Sequence, residues 1–215
     1  MTEVSNAVVL LPGGKPVSSL VARPWQLANL RMLWFAWALR RRLPATTTVH
    51  RVRYRLRGWN APDLDPVRDA ATALDALVAD SSEPVRIVLA GHSMGGRVAA
   101  ALAARPEVIG IVALAPWWPA DDADAIGPDV RLLAVHGTAD TWTDPQSSRR
   151  QCLRAAQRGV NARWIGLPDS GHFMLHRAST WHRITAEFVT ELPVTPPDLE
   201  RRRARTPLSL FRRDR

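Results

Sequence analysis

Residues 85–96 read Val-Arg-Ile-Val-Leu-Ala-Gly-His-Ser-Met-Gly-Gly. Val85 to Ala90 is a short apolar run behind Pro84, which predicts a buried strand. The segment Arg97-Val98-Ala99-Ala100-Ala101-Leu102-Ala103-Ala104 follows, and Ala and Leu are strong helix formers. Between the two sits Gly91-His92-Ser93-Met94-Gly95, a G-x-S-x-G pattern. Such a pattern, between a strand and a helix, requires a sharp turn with the serine at its tip. Glycine stands two residues to either side because a Cβ there would strike the neighbouring strand or helix. The serine is then strained and exposed at a helix N-terminus, where amide N–H groups point at developing negative charge. The stretch reads as a nucleophile elbow; the plain alternative is a Gly-rich β–α turn.

Working outward, strand and helix signals alternate. Val8 to Leu11 is an apolar run that enters the turn Pro12-Gly13-Gly14-Lys15-Pro16. From Pro24 to Arg42, Leu27, Leu30, Leu33, Trp34, Trp37 and Ala38 recur at helical spacing, with Trp34 and Trp37 as expected core. Residues 49–56 alternate with a period of two, Val49, Arg51, Arg53 and Arg55 against His50, Val52, Tyr54 and Leu56, and Gly58 ends the run. Asp65-Pro66 predicts a helix with Asp65 as cap and proline in its first turn, lined by Ala70, Leu74, Leu77 and Val78. Further strands are expected over Val108–Leu114, Val130–Val135 and Ala162–Leu167. Asp144-Pro145 opens a helix that Gly159 closes, and a last helix spans Ser179 to Glu191. This order implies an α/β fold, a mostly parallel sheet of six strands with helices on both faces. One domain is expected over residues 1–195, followed by a basic, disordered tail over 196–215.

The composition narrows the class. With 215 residues, 46% hydrophobic and 23% charged, the chain can bury one sizeable core as a globular protein. Cys152 is the single cysteine, which leaves no internal disulfide and fits a reducing compartment. The first residues carry no basic n-region, and no stretch has the length of a membrane-spanning helix, so a cytoplasmic location is expected. The net charge is +9, of which residues 201–215 contribute +6 through seven Arg and one Asp. With +3 left for the rest, no nucleic-acid partner is expected.

A serine hydroxyl becomes a competent nucleophile when a base takes its proton, and that base needs an acid to orient it. Loops beyond the carboxyl ends of parallel strands bring such groups together. Three of those loops hold candidates: Ser93, Asp140 and His172, in the order Ser…Asp…His. At Gly91-His92-Ser93-Met94-Gly95-Gly96, His136-Gly137-Thr138-Ala139-Asp140 and Gly171-His172-Phe173 the chain resembles the α/β-hydrolase superfamily, in particular its small lidless esterase-like members. The resemblance spans roughly residues 7–191 and implies nucleophile Ser93, acid Asp140 and base His172. It implies a minimal form without a cap domain, because a short stretch separates Leu114 from Val130. The usual two leading strands are missing from the pattern. An open site follows.

Rival assignments stand beside these. Asp144 or an acid of the Asp121–Asp124 loop competes with Asp140, although Asp144 suits a helix cap. His176 competes with His172. His92 reads as a packing residue and His136 as a satisfied core histidine. No metal or other cofactor is expected. For an oxyanion hole, Met94 supplies one N–H by resemblance, and Gly14 is the choice for the second, with Lys15 as alternative; Pro12 has no N–H. Trp117 and Trp118 either wall an acyl site or pack on the first helix, and Trp142 faces the site. The arginine tail is read as solvated, with weak contact to an anionic membrane as the next reading, through Leu208, Leu210 and Phe211. The expected function is a serine hydrolase acting on a small carboxylic ester or thioester through an acyl-enzyme. The alternatives are a catalytically silent binding protein of the same fold, or peptide, C–C bond or peracid chemistry on the same triad. The expected partner is a small acyl substrate; the oligomeric state is left open.

Overall fold

Short apolar runs bounded by Gly and Pro are too brief for core helices and suit buried strands, and each takes a place in one sheet. The computed structural model describes residues 4–192. The elements are β1 (Ser5–Leu11), α1 (Leu27–Arg40), β2 (Thr47–Arg51), α2 (Asp65–Ala79), β3 (Val85–His92), α3 (Met94–Ala101), β4 (Val108–Leu114), β5 (Arg131–Gly137), α4 (Pro145–Gln157), β6 (Ala162–Leu167) and α5 (Ala178–Thr190). The strands lie in the order β2-β1-β3-β4-β5-β6, and every neighbouring pair is parallel. This is the doubly covered α/β sheet that the alternation predicts.

Successive side chains of a strand point to opposite faces, so a strand covered on both sides needs apolar residues at every position. Ala7, Val9, Leu11, Ile87 and Leu89 pack on one side with Leu74 of α2, Val98 of α3 and Ala155 of α4. Val8, Leu10, Val88 and Ala90 pack on the other with Met32 and Phe35 of α1 and Trp181 and Phe188 of α5. β1 and β3 are neighbours, yet the chain leaves β1 for α1 on one face and β3 for α3 on the other. The loops therefore diverge at the carboxyl ends of these strands, where ligand sites of such sheets are built.

Three local expectations are corrected. The strand expected over residues 49–56 ends at Arg51, because β1 turns away at Pro12; Val52 N–H makes the last ladder bond, to Leu10 O at 3.0 Å. Beyond it, Val52 and Tyr54 stay buried without pairing in a strand. Asp65 does not cap α2. Leu64 holds the cap position with φ 52°, and the Asp65 carboxylate accepts from Asn60 Nδ2 at 2.9 Å. The largest difference is in α1, which buries Met32, Phe35, Ala36 and Leu39 and leaves Leu27, Trp34 and Trp37 exposed. The helix is apolar nearly all round, so spacing alone does not select the face that meets the sheet.

That assignment has a measurable consequence. Phe35→Ala opens a core cavity and is expected to cost about 3–5 kcal/mol of unfolding free energy. Trp34→Ala, one residue away, removes a solvent-facing ring and should change stability by less than about 0.5 kcal/mol. Urea unfolding of the two variants checks this; equal losses would place both rings in the core.

Candidate active site

The tip of β3 makes the turn that its glycines allow. Ser93 has φ 55° and ψ −118°, a conformation rare for a side-chain-bearing residue. A Cβ on Gly91 would collide with the Gly95 backbone, and one on Gly95 with the Leu11 carbonyl. The turn is pinned on both sides of the peptide. Ser93 N–H donates to Leu114 O at 3.0 Å, and Ser93 O accepts from Gly96 and Trp117 N–H, each at 3.0 Å.

Two further loops converge on this tip. Those after β5 and β6 are laced together by Thr138 N–H on Leu167 O at 2.9 Å and Ala139 N–H on Ser170 O at 3.1 Å. They carry Asp140 and His172. His172 Nε2 lies 3.1 Å from Ser93 Oγ, and His172 Nδ1 lies 2.8 Å from Asp140 Oδ2. All three side chains are buried. With Nδ1–H donated to the carboxylate, the Nε2 lone pair faces the serine hydroxyl.

Asp140 is the most heavily bonded group of the site. Oδ2 accepts from His172 Nδ1, from His136 Nε2 at 3.1 Å and from Thr143 Oγ1 at 2.9 Å. Oδ1 accepts from the N–H groups of Trp142 at 2.8 Å and Thr143 at 3.0 Å. Burial by itself raises a carboxyl pKa. Here the hydrogen bonds from His136, His172 and Thr143 outweigh it and hold Asp140 well below the usual carboxylate range. The carboxylate is therefore ionised at neutral pH.

The rival residues are engaged elsewhere. Asp144 caps α4, accepting from Gln146 N–H at 2.8 Å, and pairs with Arg150. Asp121, Asp122 and Asp124 pair with Arg154, Arg97 and Arg158. His176 Nδ1 lies 3.5 Å from Ser170 Oγ. Lys15 N–H is spent on Arg57 O at 2.8 Å, which removes it from the candidates for an oxyanion donor. Met94 is the first residue of α3, so its N–H has no carbonyl one turn back. Gly13 borders the serine, and Gly14 borders Met94. A Cβ on Gly13 would lie 3.3 Å from Ser93 Cβ, and one on Gly14 would strike the Met94 side chain.

The tryptophans separate. Trp142 stacks on His172 with ring centroids 6.1 Å apart and 15° between planes, and meets Phe173 edge-on at 5.2 Å. Trp117 lies edge-on to Trp59 at 6.4 Å under the Arg97 guanidinium. Trp118 is in the core on the α3 side, its indole N–H donated to Gly96 O at 3.2 Å. Neither packs on α1, which covers the other face of the sheet.

Two histidines matter more than sequence reasoning allowed. His136, four residues before Asp140, reaches its carboxylate and is itself braced by Ser148 Oγ at 2.8 Å. The i,i+4 spacing His136–Asp140 was the available signal. His92 is buried in the elbow, and its Nε2–H donates to the backbone carbonyl of His172 at 2.8 Å. It ties the serine's turn to the histidine's loop. Nothing in the sequence pattern distinguishes His92 from a packing residue.

A model of the alpha/beta hydrolase family matches residues 8–210. The chain belongs to this family. Its fold is shared with a Xanthomonas campestris α/β serine hydrolase without a lid, at 22% identity over 91% of this chain and 86% of the other, TM-score 0.65. A Pyrococcus furiosus esterase matches at 16% identity over 87% and 81%, TM-score 0.66. A Coxiella burnetii α/β serine hydrolase homologue matches at 16% identity over 86% and 84%, TM-score 0.64. No curated protein matches the sequence.

Burial, and then the neighbouring His172 and Arg31, push His92 well below its ordinary pKa of 6.5. The unfolded chain takes up a proton there as the pH falls, while the folded protein does not. The contribution of His92 to stability is therefore fully present above about pH 6.5 and is lost progressively below it. His92→Gln, which keeps an N–H donor, should lower the slope of unfolding free energy between about pH 6 and pH 5 by roughly 1.4 kcal/mol per pH unit. Urea midpoints across pH give the slope; an unchanged slope would mean that folded His92 titrates normally.

Proposed function

We propose that the protein is a serine hydrolase of small carboxylic esters or thioesters, with Ser93 as nucleophile, His172 as general base and Asp140 as the orienting acid. The observation that carries this reading is the continuous hydrogen-bonded line from Ser93 Oγ through His172 to Asp140 Oδ2, at 3.1 and 2.8 Å. Membership of the alpha/beta hydrolase family supports it, as does the likeness to a protein named as an esterase.

Ser93 Oγ attacks the acyl carbon while His172 Nε2 takes its proton. The acyl oxygen becomes an oxyanion, held by the N–H groups of Met94 and Gly14. The imidazolium passes its proton to the leaving alkoxide or thiolate, and an acyl-enzyme remains. Water then gives its proton to His172, attacks the acyl carbon and releases the acid, and the proton returns to Ser93. Asp140, already ionised, stabilises the imidazolium in both halves.

Ser93→Ala should lower kcat/KM for a soluble ester by about 10³-fold or more at an unchanged melting temperature. A fluorophosphonate should label the wild type at Ser93 and leave the variant unlabelled. A folded Ser93→Ala enzyme with wild-type turnover overturns the mechanism. A wild type that neither turns over nor takes the probe points to a silent binding protein.

The β4–β5 connection offers little cover. Among the described residues it holds a single 3-10 turn, Asp122–Ala125, bound to α4 through Asp121, Asp124 and Arg154. Each buried methylene is worth about 0.8 kcal/mol, nearly fourfold in kcat/KM when fully expressed. That gain is expected to stop after the first few acyl carbons, so acetate-to-hexanoate esters should be preferred in solution. A steady rise towards dodecanoate would require a tunnel.

A further inference from the structure

The outward face of α1 does not behave as the surface of a globular protein. Leu27 is 76% exposed, Trp34 62% and Trp37 61%, and Trp25 just before the helix is 66% exposed. A surface helix ordinarily turns polar residues outward, and a contiguous apolar patch marks a contact site.

The patch is rimmed by positive charge. The Arg23 guanidinium lies 5.3 Å over the Trp25 ring and that of Arg41 4.6 Å over the Trp37 ring. Arg40 and Arg42 reach backbone carbonyls, of Val49 at 2.6 Å and Ala38 at 3.0 Å. On the opposite face of the sheet, by contrast, Arg97, Arg105 and Arg154 are held by carboxylates. Residues 4–62 carry nine Arg and one Lys and neither Asp nor Glu.

This rim decides the occupant. A second copy docked by the same face would bring arginine against arginine, and the chain's own residues 201–215 carry seven more Arg. An anionic bilayer matches both features. Indoles favour the boundary between headgroups and acyl chains, and guanidinium groups bind lipid phosphate. We propose that the outer face of α1, with Trp25, Trp34 and Trp37 as its anchors, docks the protein on an anionic lipid surface.

The face also adjoins the active site. Arg31 donates Nε–H to the carbonyl of Phe173 at 2.9 Å and stacks over its ring at 5.1 Å. Phe173 follows His172, and the exposed Leu175 continues the apolar rim. A docked protein would thus hold the His172 loop beside the lipid.

Flotation of the full chain with vesicles tests binding separately from catalysis. Vesicles of phosphatidylcholine with about one-third phosphatidylglycerol should carry the wild type, pure phosphatidylcholine far less, and added salt should release it. W34Q/W37Q should partition about tenfold or more weaker onto the anionic vesicles. It should keep the wild-type melting temperature and turnover of a soluble ester. A full-length variant with the seven arginines of 201–215 changed to Gln should still float, and should lose that on adding W34Q/W37Q. The proposal is overturned if W34Q/W37Q floats like the wild type, or if the tail variant alone abolishes binding. It is equally overturned if the wild type ignores anionic vesicles, whether it then forms a dimer that W34Q/W37Q dissociates or binds a DNA duplex that this variant still binds.

Discussion

Backbone contact at the elbow governs the arrangement of this protein. The first turn of α3 lies against the end of β3 at Gly91 and against the end of β1 at Leu11, so closely that a methyl group on Gly91 or Gly95 would strike a main-chain atom. Such packing is open only to residues without a Cβ. It fixes where α3 begins, and so where its free amide groups point. It also brings Gly13 beside Ser93 and Gly14 beside Met94. The strain at Ser93 is held in place by Leu114 and Trp117, which grip the peptide on either side.

A second constraint is electrostatic. Taking a carboxylate out of water costs several kcal/mol unless its oxygens find donors. Asp140 meets this with five hydrogen bonds spread over both oxygens. Two come from backbone N–H groups of its own loop, and His136 and Thr143 add two more before His172 is counted. The loop thus holds the charge whether or not His172 is in register. His172 in turn is positioned from two directions, by Asp140 at Nδ1 and by His92 at its backbone carbonyl.

The sheet was legible because strands covered on both faces are largely apolar, as over residues 8–11, 87–90 and 108–114, and Gly and Pro stand at their ends. Ser93, Asp140 and His172 could be named as candidates because they stand in short motifs, shared with the resembled superfamily, on loops at the ends of parallel strands. What the pattern lacked was anything set by three-dimensional neighbours. The end of β2 depended on where β1 turned. The entry into α2 depended on Asn60 reaching Asp65. His92 and His136 acquired their partners only when distant loops met. Lys15 fell away as a donor because Arg57, forty-two residues on, accepts its N–H.

The misreading of α1 had a different origin. Helical spacing reports a face only when the other face is polar, and α1 has two apolar faces. Met32, Phe35 and Leu39 satisfy the sheet, so among the described residues Leu27, Trp34 and Trp37 are left exposed. Propensity cannot account for this: Ala, Glu or Lys would hold the helix as well and cost nothing in solubility. Part of the charge is equally unneeded by the fold. Arg55 reaches Asp65 and Asp69 of α2, but Arg23 and Arg41 lie on indole rings instead of carboxylates. An apolar face and a basic rim are each a liability for a protein alone in water, the first through aggregation and the second through self-repulsion. Their coincidence on one helix, beside the loop that carries His172, is what an anionic and apolar partner would require.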